Sequence, residues 1–189
     1  DNLSRKTGKD ILVLSLYKIN KVVTINIVRK IYKTKKVGHA GTLDPNATGV
    51  LPIAIGSATK LVDYIQTMGK SYIGEMALGI NTDTLDIWGK SIESKEISLD
   101  KNKFFEVIKK YDNKKIMQLP PMYSALKKDG KRLYEYARAG IEVEREEREV
   151  EIYSLIILNF YENKIRFEVS CSKGTYIRTL FNDIASDTN

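Results

Sequence analysis

The sequence predicts an α+β chain with a mixed or antiparallel sheet flanked by helices. Two segments alternate cleanly. Tyr72, Gly74, Met76 and Leu78 alternate with Ile73, Glu75 and Ala77, and Ile165, Phe167, Val169 and Cys171 alternate with Lys164, Arg166, Glu168 and Ser170. A period of two places one face of each strand in a core. A third segment changes period: Ile177, Leu180, Phe181 and Ile184 line one side of a helix. Hydrophobic residues make up 42% of the 189, enough to fill a packed interior and too many for a disordered chain.

The remaining elements follow in chain order. Ile11 to Leu16 reads as a short apolar strand. Ile25, Val28 and Ile31 recur at helical spacing, with Arg29, Lys30 and Lys33 among them. Leu51 to Ile55 reads as a buried strand closed by Gly56. Ser57 is the expected N-cap of a helix carrying Leu61, Val62 and Ile65, with Lys60 in its first turn. Asn81 to Gly89 is a polar turn or loop. Ser98 is the expected cap of a helix through Phe104, Phe105, Val107, Ile108 and Tyr111. Pro120 and Pro121 break the Gln118 to Lys127 stretch. A helix through Tyr134, Ala137 and Arg138 stops at Gly140. Glu142 to Glu151 is a dense mixed-charge run, read as a solvated strand edge or a linker. Lys173-Gly174 turns the chain, and Thr175 is placed to cap the last helix.

Composition narrows the function classes. Lys and Arg number 31 against 24 Asp and Glu, giving +7 and a pI near 9.3. That excess suits a polyanionic partner such as RNA, and it equally suits plain solubility. No run of about 18 apolar residues supports a membrane span, and no secretory pattern is present. Cys171 stands alone, so an internal disulfide is impossible and a reducing, intracellular compartment is the default, the cytoplasm first and an organelle second. His39 is the only histidine, and no Cys/His cluster offers a zinc site. No metal or other cofactor is expected.

The run Gly38-His39-Ala40-Gly41-Thr42-Leu43-Asp44-Pro45-Asn46-Ala47-Thr48-Gly49-Val50-Leu51 carries the most information. It sets one carboxylate among glycines, a proline and small residues, which permit sharp turns and close approach of backbone to a ligand. On residue types alone, this is either a solvated Asp-Pro turn or a functional site.

This run resembles the catalytic motif of the TruB-type tRNA pseudouridine synthases, nearly unbroken over fourteen residues. Other stretches resemble the same family in the same order. They are Lys70-Ser71-Tyr72, Thr82-Asp83-Thr84-Leu85-Asp86-Ile87-Trp88-Gly89, and Gln118-Leu119-Pro120-Pro121-Met122-Tyr123-Ser124-Ala125-Leu126-Lys127. A fourth is Cys171-Ser172-Lys173-Gly174-Thr175-Tyr176-Ile177-Arg178-Thr179-Leu180. The family's early Lys-Pro-x-Gly-x-Thr-Ser turn is altered here to Lys18-Ile19-Asn20-Lys21-Val22-Val23-Thr24, without its Pro and Gly.

The resemblance implies a pseudouridine synthase catalytic fold over residues 1–189, without the C-terminal segment with which family members usually continue. It implies isomerisation of the T-loop uridine at tRNA position 55. Asp44 takes the role of catalytic carboxylate and Arg178 that of its guanidinium partner. Tyr72 and Tyr176 fall beside the target base, Lys60 approaches the RNA backbone, and Asp86 is a second acidic position near the RNA. His39 falls in the void left by an extruded base, where the residue alone reads as a hydrogen-bonded loop histidine. The implied partner is the tRNA T-arm, with no obligate protein partner and no membrane.

The chemistry suits these residue types. Isomerisation breaks N1–C1′ and makes C5–C1′, with no redox step and no energy source. A carboxylate can attack the base, attack the sugar or take a sugar proton, and all three duties stay open for Asp44. A nearby guanidinium keeps such a carboxylate ionised and oriented. A stacked T-loop base must leave its stack to react. Two rival readings use the same motifs: a non-catalytic tRNA-binding or tRNA-folding protein, and the catalytic subunit of a guide-RNA-dependent pseudouridine synthase. The latter needs partner proteins and a longer chain.

Overall fold

The computed structural model describes residues 11–16, 21–44, 47–97 and 99–188. The chain divides into two compact units, Asp1–Met68 and Gly69–Asn189.

The first unit is built on β1 (Ile11–Leu16), α1 (Lys21–Ile31), β2 (Val37–His39) and β3 (Gly49–Ile55). The strands form an antiparallel sheet in the order β1-β3-β2. Leu51, Ile53 and Ile55 of β3 are almost wholly buried and pack with Ile25 and Val28 of α1. Ile31, expected on the same apolar stripe, is 66% exposed, because the helix ends there and the stripe has no partner. A 3-10 turn, Gly56–Leu61, follows β3 and leads into α2 (Val62–Thr67). Ser57 therefore lies inside the turn rather than capping a helix, and no side chain caps either segment. The turn is tied by the Thr59 hydroxyl, which donates to the Gly56 carbonyl at 2.8 Å. Lys60 is exposed and falls in the last turn of the 3-10 segment, not in a first helical turn.

The second unit centres on four antiparallel strands in the order β4-β11-β10-β7. These are β4 (Lys70–Ala77), β7 (Lys114–Gln118), β10 (Arg148–Tyr161) and β11 (Lys164–Cys171). Two small hairpins, β5 (Ile80–Thr82) with β6 (Ser91–Ser94), and β8 (Lys127–Lys128) with β9 (Lys131–Arg132), project from this frame. All strand pairs are antiparallel, the second of the two expected arrangements. One face of the large sheet is covered by α3 (Lys101–Tyr111) and α5 (Ile177–Thr188). Phe104 of α3, Phe167 of β11 and Phe181 of α5 form its aromatic centre, with ring centroids 6.1 and 4.9 Å apart in turn.

The helix starts of the second unit differ from one another. Asp100 caps α3: its carboxylate accepts from the amides of Asn102 and Lys103. A cap of this type is worth about 1 kcal/mol. The expected cap, Ser98, lies outside the described residues. Phe105 on the same helix is 45% exposed, since only Phe104, Val107 and Ile108 are buried. α4 (Leu133–Arg138) is held by Glu135 reaching back to the Arg132 amide, and it stops at Gly140 with φ +70°. Before α5 the Thr175 hydroxyl donates backward to the Ser172 carbonyl at 2.9 Å, where a capping hydroxyl was expected to accept from the helix.

Candidate active site

The Asp44 loop belongs to the first unit and links β2 to β3. His39 closes β2, and its Nδ1 is bonded to the Gly41 carbonyl. The His39 carbonyl in turn accepts from Gln66 of α2 at 3.3 Å. The histidine is thus hydrogen-bonded within its own loop, as the residue alone suggested. Ala40 donates its amide to Pro52 of β3 at 2.9 Å, so the loop leaves the sheet at a fixed point. Gly41 has φ +138°, a conformation that a side chain would strain. Gly38 sits so close to α2 that an added Cβ would meet Val62 Cγ2 at 3.0 Å. Asp44 is exposed, and its carbonyl accepts from the Ala47 amide at 2.9 Å. Pro45 and Asn46 lie outside the described residues, as does Lys18.

A second constellation, in the second unit, gathers around Arg178. This side chain, in the first turn of α5, is only 16% exposed. Its Nη1 donates to the Thr84 carbonyl at 2.7 Å and its Nη2 to the Tyr123 carbonyl at 3.0 Å. Nη1 also lies 3.9 Å from Asp86 Oδ2. One guanidinium therefore joins three segments that are far apart in sequence. A planar, permanently charged fork suits this task, and a lysine ammonium does not reproduce it.

Asp86 organises its own loop while facing Arg178. Its Oδ1 accepts from the Thr84 hydroxyl at 2.7 Å and from the Trp88 amide at 3.0 Å. Its carbonyl accepts from the Thr82 hydroxyl at 2.7 Å. Asp83 closes the base of the loop by accepting from the Lys90 amide at 2.8 Å. Gly89 is required: a Cβ there would stand 2.3 Å from Thr84 Oγ1 and 2.6 Å from Asp83 Oδ1. The Thr-Asp-Thr-x-Asp-x-x-Gly pattern is thus a self-bonded loop, and it delivers one carboxylate oxygen toward Arg178.

The chain just before α5 is clamped from β7. Gln118 is 2% exposed; its Nε2 donates to the Tyr176 carbonyl at 3.2 Å and its Oε1 accepts from the Tyr176 amide at 2.8 Å. This paired bond fixes the backbone two residues before Arg178. In the sequence Gln118 opens a motif and shows no role of its own. A buried amide side chain must find partners for both ends, and that requirement was the available signal. Tyr72 and Tyr176 are both half-buried in this unit, and Tyr72 stands opposite Val169 in the β4–β11 ladder. Cys171 is 1% exposed, and burial pushes its thiol pKa up, which makes it an inert core residue.

The fold has known counterparts. The structure resembles that of the chain in a crystal structure of a Cbf5-Nop10-Gar1 complex, with TM-score 0.71 and 26% identity. The match covers 96% of this chain and 45% of that one. It also resembles a structure of an H/ACA RNP bound to a substrate RNA containing 2′-deoxyuridine, with TM-score 0.66 at 22% identity, which speaks for the fold alone. The fold is thus shared with the chains of these two structures. The profile of the TruB family pseudouridylate synthases (N-terminal domain) matches residues 29–177, and the chain belongs to that family.

Individual relatives agree. The chain is 47% identical over 180 residues to tRNA pseudouridine synthase B of Clostridium kluyveri, covering 94% of this chain and 62% of the relative. It is 52% identical over 159 residues to the protein of the same name from Listeria innocua, covering 81% and 52%. The chain thus spans between half and two thirds of the length of these relatives.

Proposed function

We propose that this chain carries the catalytic machinery of a tRNA pseudouridine synthase that converts the T-loop uridine at position 55 to pseudouridine. The observation that carries the reading is the Asp44 loop: an exposed carboxylate on a strand-anchored Gly-rich turn, inside the stretch matched to the family. In the proposed reaction the N1–C1′ bond breaks, C5 bonds to C1′, the C5 hydrogen leaves and N1 takes up a proton. Asp44 acts on the base or sugar as charge develops at the anomeric carbon. Arg178 supports that carboxylate, Tyr72 and Tyr176 hold the extruded base, and His39 occupies the place it leaves. Lys60 meets the RNA backbone and Asp86 holds Arg178 in register. The substrate is the tRNA T-arm without a guide RNA, and the setting is intracellular, the cytoplasm first. Identities of 47–52% to proteins named tRNA pseudouridine synthase B favour this reading.

The test is incubation of the protein with an unmodified T-arm transcript and no other RNA. Cyanoethylation then marks any pseudouridine by mass, and nearest-neighbour mapping places it. Pseudouridine at the T-loop position alone is expected. Tight binding with no modification would favour the non-catalytic reading, and modification only with an added guide RNA would favour the guide-dependent one.

A further inference from the structure

We propose that the corner joining α1 to β2 grips the RNA backbone through its phosphates and supplies most of the salt-dependent part of binding. The proposal rests on the RNA reading above and assigns the polyanion to one surface.

Four observations carry it. Arg29, Lys30, Lys33, Lys35 and Lys36 place five cations within eight residues, with no acid among them. All five are exposed. Among the described residues none of them forms an ion pair. Lys95, Lys109, Lys110, Lys115 and Lys164 of the second unit, by contrast, each lie within 3.8 Å of a carboxylate. The charge is also unevenly shared. Residues 1–68 hold 11 Lys and Arg against 4 Asp and Glu, whereas residues 69–189 hold 20 against 20. The whole excess of seven falls on the first unit.

The corner is built rather than loose. The Tyr32 amide donates to Val28 at 2.9 Å and the Thr34 amide to Arg29 at 3.2 Å, closing the helix, with Lys33 at φ +49°. The Lys36 amide donates to the Thr34 hydroxyl at 3.2 Å, and the Lys36 carbonyl accepts from Gly56 at 2.8 Å. From Lys36 the chain runs straight through β2 to His39 and the Asp44 loop. A helix C-terminus attracts cations, but its end carries only about half an elementary charge, far less than five lysine and arginine charges. Clustered cations without counter-charges fit a partner that brings its own regularly spaced anions, and RNA phosphates do so. Each phosphate neutralised adds about 0.7 to 0.9 to the slope of log affinity against log salt.

The experiment is filter binding of an unmodified tRNA transcript over a range of KCl concentrations. It compares the wild type with the triple variant Lys33→Gln, Lys35→Gln, Lys36→Gln. The control triple, Lys109→Gln, Lys110→Gln, Lys115→Gln, removes the same charge from ion-paired sites. All six side chains are exposed, and matched circular dichroism melts establish that each variant is folded. We expect the first triple to lower the slope by about two and to weaken binding about tenfold or more at moderate salt. The control should change the slope by less than one, and Lys33→Arg, Lys35→Arg, Lys36→Arg should keep the wild-type slope. Equal slope changes in the two Gln triples, or an unchanged slope in the first, would overturn the assignment. So would tighter binding to phosphatidylglycerol vesicles than to the transcript. If the wild type binds no transcript at all, the RNA reading itself fails and takes this inference with it.

Discussion

Arg178 is the residue on which most of the second unit's site depends, and its geometry makes a sharp demand. Two carbonyl bonds and one carboxylate contact need two N–H groups at a fixed angle. In Arg178→Lys the charge survives and the fork does not. A charge-assisted contact is worth about 1.5–3 kcal/mol, so single-turnover pseudouridine formation should fall roughly ten- to a hundredfold. RNA affinity, read by filter binding on the same preparation, should change far less. A variant that loses binding as steeply as turnover would make Arg178 a phosphate contact. For Asp44 the expectation is loss of chemistry without loss of fold, since it is exposed in a loop rather than packed in a core. Asp44→Asn should abolish turnover and leave the melting temperature and tRNA affinity close to wild type. Both residues are candidates because of their place in the motif order. The carbonyls of Thr84 and Tyr123 that seat the guanidinium were not legible, because backbone acceptors carry no side-chain signature.

Helix α5 brings Arg178 to its partners, and the fit of that helix on the sheet rests on one small residue. A Cβ at Gly74 of β4 would stand 2.9 Å from Phe181 Cε2 and 3.8 Å from Ile177 Cγ2. Gly74→Val should push α5 outward, costing about 1–3 kcal/mol of stability. Its turnover should fall more than that of a comparably destabilised variant remote from α5, measured at equal folded fraction by thermal melts and single-turnover assays. The same helix carries a pH signature. Burial pushes Asp183 up to about 6 from its ordinary 3.8; a bond to Asn182 opposes this and the charges of Asp187 and Glu147 add to it. Between those two values the folded chain keeps a proton that the unfolded chain has released. The stabilising effect of that proton is complete below about pH 4 and lost as pH rises through 6. Asp183→Asn should therefore raise the melting temperature at pH 7.5 and change it little at pH 4.

Elements with a clean period were legible: β11 shows alternating burial along its length, and the apolar stripe of α5 is buried at Leu180, Phe181 and Ile184. The fourteen-residue β10 was not. Register shifts near Ser154 and Asn159 break its alternation, and Tyr153, Ile156 and Leu158 on it are exposed, so neither period stands out. β7 carries little pattern for another reason: two lysines open it, and within it only Gln118 is fully buried.

Across the whole chain, charge and candidate site residues divide between two units: the first holds the net positive charge and Asp44, the second holds Arg178 and its clamps. The net charge predicted an RNA partner only loosely from composition. Its confinement to residues 1–68 became visible once the unit boundary was known. Coupling between the units is measurable without any assumption about their arrangement. In a double-variant cycle, Asp44→Glu and Arg178→Lys should be non-additive in single-turnover rate if the two side chains act together. The most direct test of the central claim follows the atom that the reaction must expel. A T-arm transcript labelled with tritium at uridine C5 should release one equivalent of label to water per enzyme-modified strand, because C5 gives up its hydrogen when it bonds to C1′. The wild type should release it in a single turnover with no guide RNA, and Asp44→Asn at equal RNA occupancy should release none. Release by Asp44→Asn at the wild-type rate, or no release by a wild type that binds the transcript, would contradict the account.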